Sequence, residues 1–69
     1  MIQKLRELIK ASPFQGFFIA LADGRRFTIG SPDMVWLAAG GRGGLHIFVP
    51  DEDIIVTVNP MLVSSVEAA

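Results

Sequence analysis

The stretch Phe17-Phe18-Ile19-Ala20-Leu21-Ala22-Asp23-Gly24-Arg25-Arg26-Phe27-Thr28-Ile29 reads as two apolar strands folded about an Asp-Gly turn. Its register can be argued from side-chain partners. A tight loop of Asp23-Gly24 alone sets Ala22 against Arg25 and Leu21 against Arg26, mixing apolar and charged partners across the ladder. A loop of Ala22-Asp23-Gly24, with Gly24 left-handed in a bulge, instead pairs Ile19 with Phe27 and Phe17 with Ile29. The bulged loop is therefore expected. It places Phe17, Ile19, Leu21, Phe27 and Ile29 on one face, and Phe18, Ala20, Arg26 and Thr28 on the other.

Upstream of this hairpin, Ile2, Leu5, Leu8 and Ile9 recur at helical spacing, which predicts an amphipathic helix over residues 1–11. Lys10 sits in the last turn, where the carbonyl end of the dipole favours a cation, and Pro13 forbids continuation. So short a helix is marginal alone and must dock on a sheet. Downstream, Gly30-Ser31-Pro32-Asp33 is a turn cluster, with Ser31 or Asp33 able to bond nearby backbone. A third strand is expected from Met34 to about Ala38, a fourth over Leu45–Val49 and a fifth over Ile54–Val58. The segment Met61–Val66 is expected to make a tight turn and a short strand, and the tail Glu67-Ala68-Ala69 to fray.

A chain of 69 residues forms one domain, here residues 1–69. At that length about 60% of the unfolded surface is buried, which leaves a thin stability margin. No cysteine is present to supply disulfides, and no Cys or clustered His set offers a structural zinc site. Apolar content is what remains: 51% of residues are hydrophobic, and the mean hydropathy is positive. Such an excess is expected to be covered by a second copy of the chain, so a homo-oligomer is the expected state. Six basic and seven acidic residues give a formal charge of −1, which provides no long-range attraction for nucleic acid or an anionic membrane. No apolar run is long enough to span a bilayer, and Lys4, Arg6, Glu7 and Lys10 interrupt the opening segment in a way no signal peptide core does. A cytoplasmic location, with no membrane partner, is the expectation.

Chemistry-bearing residues are sparse. His46 is the single histidine, and strand alternation sets it beside Phe48, away from Leu45, Ile47 and Val49; it reads as a satisfied or solvated strand histidine. Asp51, Glu52 and Asp53 are adjacent acids without the alternating ligand spacing of a calcium loop, and read as solvated carboxylates guarding the flanking strands against edge pairing. Gly40-Gly41-Arg42-Gly43-Gly44 lacks the Lys-Ser/Thr ending of a phosphate loop and reads as a flexible strand connection. Ser12, Ser31, Ser64 and Ser65 lie in no nucleophile motif. No catalytic residue, metal ligand or cofactor is expected, and an enzyme is not the expected class. Trp36 is the residue whose bulk calls for a core or a shared interface.

The runs Leu5-Arg6-Glu7-Leu8, Ser12-Pro13-Phe14, Leu21-Ala22-Asp23-Gly24-Arg25 and Ser31-Pro32-Asp33 resemble a group of small uncharacterised bacterial proteins of similar length, a resemblance that implies no activity. A looser resemblance is to Sm-like RNA-binding proteins. Leu21-x-Asp23-Gly24-Arg25 is similar to their first motif, Asp33-Met34 stands near its end, and Val58-Asn59-Pro60-Met61-Leu62-Val63 sits where their second motif lies. That resemblance implies a short helix followed by a bent five-stranded barrel, ring assembly and RNA binding. No Asn follows Met34, and Asn59-Pro60 replaces the basic-Gly pair, so the RNA-binding residues of that family are not matched.

Together these readings predict a mainly β fold with one N-terminal α-helix and a small five-stranded antiparallel SH3/Sm-like barrel or strongly curved sheet over residues 17–66. The expected core is Leu5, Leu8, Ile19, Leu21, Phe27, Ile29, Leu37, Ile47, Val49, Ile55 and Val63. The expected function is a non-enzymatic, self-associating protein-interaction module with Phe18, Trp36 and Phe48 at the shared surface. The alternative is Sm-like RNA binding with Arg25, Arg26 and Arg42 on phosphates.

Overall fold

A computed structural model describes residues 2–38 and 44–69. The glycine-loop expectation and Arg42 lie outside the described residues. Helix α1 spans Ile2–Lys10. Its apolar stripe turns Leu5 fully into the core, with Leu8 and Ile9 packed against it, while Gln3, Lys4 and Glu7 face solvent.

The strands are β1 Phe17–Leu21, β2 Arg26–Ile29, β3 Val35–Leu37, β4 Leu45–Val49, β5 Ile54–Val58 and β6 Val63–Ala68. They form two three-stranded antiparallel sheets, ordered β2-β1-β6 and β3-β4-β5. This corrects the expected five-stranded barrel: the described strands are six, and they do not close into a barrel. The division arises at two short 3₁₀ turns, Pro32–Met34 and Pro60–Leu62. Each carries proline in its first turn, where the fixed φ suits the helical bend and the missing N–H costs nothing. Met34 belongs to the first of these turns rather than to β3. Ser31 bonds to the Asp33 carboxylate rather than to backbone, and Asn59 Oδ1 caps the second turn by accepting from the Met61 N–H at 2.9 Å.

The opening hairpin has the register its side chains imply: Phe17 pairs with Ile29 and Ile19 with Phe27. Gly24 has φ +94°. Its N–H reaches the Leu21 carbonyl at 3.0 Å, and the Leu21 N–H reaches the Arg25 carbonyl at 2.8 Å. These are the bonds of a turn followed by a glycine bulge.

The two sheets bury their inner faces against each other. Phe17, Ile19, Leu21, Ile29, Val63 and Val66 come from the first sheet; Val35, Leu45, Ile47 and Val58 from the second; and Leu5 closes one cluster. Leu8, Phe27 and Leu37, expected in the core, are only partly buried against it. Val49 is half-buried and outside the cluster. Ile55 is the clear reversal, at 59% exposed. Pairing Leu45 with Val58 and Ile47 with Val56 sets the inward phase of β5 on even numbers, which turns Ile55 outward.

The tail, expected to fray, instead extends β6 to Ala68. Glu67 pairs with Phe18, Ala68 pairs with Phe17, and the Ala69 N–H donates to the Gly16 carbonyl at 3.0 Å. A register shift between Ala20 and Leu21 accommodates an extra residue in β6. At this bulge the Ser64 hydroxyl donates to the Ala20 carbonyl at 3.1 Å, supplying a partner where the ladder is interrupted.

Candidate functional site

Strand alternation gives each sheet an outer face, and the two differ in chemistry. On the second sheet Trp36 lies opposite His46, His46 opposite Thr57, and Phe48 opposite Ile55. With Leu45 and Ile47 buried on the inner side, Trp36, His46, Phe48, Ile55 and Thr57 share the outer one. Trp36 is 46% exposed, a large amount of indole surface for a domain of this size. Ile54, at the start of β5, is also exposed. The two polar members are bonded to each other, His46 Nδ1 lying 2.9 Å from Thr57 Oγ1.

On the first sheet Phe18 lies between Thr28 and Glu67. It is half-buried, and the Arg26 guanidinium carbon sits 4.2 Å from its ring centroid. Arg26 is opposite Ala20 and reaches the ring diagonally, a cation–π contact worth about 0.5–1 kcal/mol at an exposed site. Of the aromatic residues singled out in the sequence, the fold therefore gathers Trp36 and Phe48 onto one face. Phe18 belongs to the other sheet.

The arginines of the turn are engaged locally. Arg25 Nε donates to Asp23 Oδ2 at 2.9 Å, and the Arg25 backbone N–H donates to Oδ1 at 3.0 Å. Chiefly that backbone donor, and then the guanidinium, hold the Asp23 carboxyl below its ordinary pKa against a desolvation push upward. Arg25 thus has its charge matched within the turn, and Arg26 is laid over Phe18.

Asp51, Glu52 and Asp53 occupy the exposed β4–β5 turn. The turn is closed by the Glu52 N–H to the Val49 carbonyl at 3.2 Å and by the Asp53 N–H to the Pro50 carbonyl at 3.3 Å. Asp53 adopts φ 53°, a left-handed conformation that Asp tolerates better than most residues.

Sequence reasoning missed several exposed apolar residues. Ile54 and Ile55 sit in a run with no polar residue before Thr57 to mark its phase, and Met61, 88% exposed, follows a proline turn. The register with β4 is what turns Ile55 outward, Ile54 is on the inward phase but exposed at the start of the strand, and no signal in the sequence reveals Met61. A groove of about 390 Å³ lies between the C-terminal half of α1 and β3, lined by Arg6, Ile9, Lys10, Val35, Trp36 and Leu37. Among the described residues no helix is long and apolar enough to cross a membrane. No known protein family, curated protein or solved structure matches the chain.

Proposed function

We propose that this chain is a cytoplasmic, self-associating protein-interaction module that works by covering the exposed apolar residues of its second sheet. The observation that carries the proposal is the outer face of β3-β4-β5, where Trp36, Phe48 and Ile55 stand together with only the paired His46 and Thr57 between them. Covering the exposed part of Trp36 removes on the order of 100 Å² from water, about 2–3 kcal/mol at 25 cal/mol/Å². Association costs at least about 4 kcal/mol in lost rigid-body freedom, so Trp36 alone is not enough. A stable contact must take in Phe48 and Ile55 as well. The absence of cysteine suits a reducing compartment.

RNA binding draws less support from the same geometry, because Arg25 is matched by Asp23 and Arg26 by the Phe18 ring. Sedimentation equilibrium on the intact chain tests the proposal. Mass that rises with concentration in the micromolar range is the expected result, and a monomer throughout that range refutes it.

A further inference from the structure

The groove between α1 and β3 and the acidic β4–β5 turn are chemically complementary. Arg6 and Lys10 are one helical turn apart on α1 and stand at the rim of a floor made by Ile9, Val35, Trp36 and Leu37. No carboxylate lines the groove, and among the described residues neither cation makes an ion pair. The nearest acids in sequence, Glu7 on α1 and Asp33 in the 3₁₀ turn, are not lining residues. A cationic rim over an apolar floor suits an anionic segment with an apolar part.

The chain itself presents such a segment. Asp51, Glu52 and Asp53 are exposed, held in a hydrogen-bonded turn, and followed at once by exposed Ile54 and Ile55. The turn is already ordered, which lowers the entropic cost of docking it. Within one molecule the turn engages neither cation: the ion pair found among the described residues is Arg25–Asp23. Asp51 lies instead beside Gly30, Met34 and Phe48, where it lines a separate pocket to which no residue of α1 contributes.

We infer that the groove lined by Arg6, Lys10 and Trp36 receives the Asp51–Ile55 segment of a second copy of this chain. The contact is head-to-tail, so each copy offers its groove to one neighbour and its turn to another. Charge sets the register, while Trp36 against Ile55 supplies the apolar burial. The inference rests on the self-association proposed above and specifies which surfaces meet.

A charge swap tests it on the full chain. One variant carries Arg6→Glu and Lys10→Glu; the other carries Asp51→Lys and Glu52→Lys, leaving Asp53 untouched because of its left-handed backbone. Each alone is expected to associate at least about tenfold more weakly than wild type, and an equimolar mixture is expected to recover the association, since each variant complements the other. Wild-type association is expected to weaken as salt rises, because the contacts lie within a Debye length of solvent. If both variants associate as tightly as wild type, or if wild-type association is indifferent to salt, the inference is wrong while the broader self-association stands. A wild-type chain that stays monomeric overturns both. The salt series decides the matter even if a charge-reversed variant fails to fold.

Discussion

The two sheets are alike on the inside and unlike on the outside. Each contributes a row of fully buried aliphatic or aromatic side chains to one shared cluster, Phe17, Ile19 and Ile29 from the first, Leu45 and Ile47 from the second. Their outer faces diverge. The aromatic ring of the first sheet, Phe18, is roofed by Arg26 and flanked by Thr28 and Glu67. The aromatic rings of the second, Trp36 and Phe48, have His46, Thr57 and Ile55 as neighbours and, among the described residues, no cation over them. Inner faces decide whether a chain folds. Outer faces decide what it meets, and among the described residues the exposed Trp36 and Ile55 lie on the outer face of the second sheet.

The likeness of the inner faces gives the largest expected effects. Phe17→Ala should cost about 3–5 kcal/mol and Leu45→Ala about 2–5 kcal/mol. For a chain of this length the total is about 3–10 kcal/mol at 0.05–0.15 kcal/mol per residue, so either variant loses much of its folded population. Urea unfolding measures both. A near-silent Leu45→Ala would mean that the second sheet does not share the core.

The turns sharpen the comparison at smaller scale. Gly24 in the first sheet's hairpin and Gly44 at the start of the second sheet's β4 have almost the same φ, +94° and +93°. A Cβ at Gly24 meets nothing within 4 Å, whereas at Gly44 it would sit 3.2 Å from Thr57 Cγ2 and 3.4 Å from the Val58 carbonyl oxygen. Gly24→Ala should therefore cost only backbone strain, about 1–2 kcal/mol. Gly44→Ala should cost more, because the neighbouring strand must shift. Thermal or urea melts of the two variants settle the order, and a smaller loss at Gly44 would contradict the packing described at the edge of β5.

The smallest effect belongs to Asp23. Its carboxyl is held below the ordinary value by Arg25, so its contribution is present above the unfolded-state pKa and is lost as pH falls through the folded one. Asp23→Asn should flatten a shallow acid limb in the pH dependence of the unfolding midpoint. An unchanged limb would mean that the Asp23–Arg25 contacts are idle in solution.

How far the fold was legible varied with the clarity of its local signals. The hairpin register could be read because the wrong alternative forces arginines against apolar partners. β4 and β5 were legible as elements, bounded by glycine, proline and acidic residues. The phase of β5 was not, since Ile54-Ile55-Val56 carries no polar residue to mark a face and only pairing with β4 fixes it. β6 was under-read for another reason: its buried residues Val63 and Val66 are three apart, because the bulge at Ser64 breaks the two-residue period. Division into two sheets depends on long-range partners that Pro32 and Pro60 do not name. At the candidate site, Trp36 and Phe48 could be singled out by bulk and alternation. Their separation from Phe18 could not, because it follows from which sheet each strand joins.

Trp36 is the sole tryptophan, so its emission reports on one place in the molecule. The most direct test of the central claim is the emission maximum of the wild-type chain across a micromolar concentration series, with the mass followed by sedimentation on the same samples. Covering of the second sheet's outer face should shift the emission to the blue with the same midpoint as the rise in mass. A rising mass with unchanged emission would place the contact elsewhere on the molecule and contradict the account.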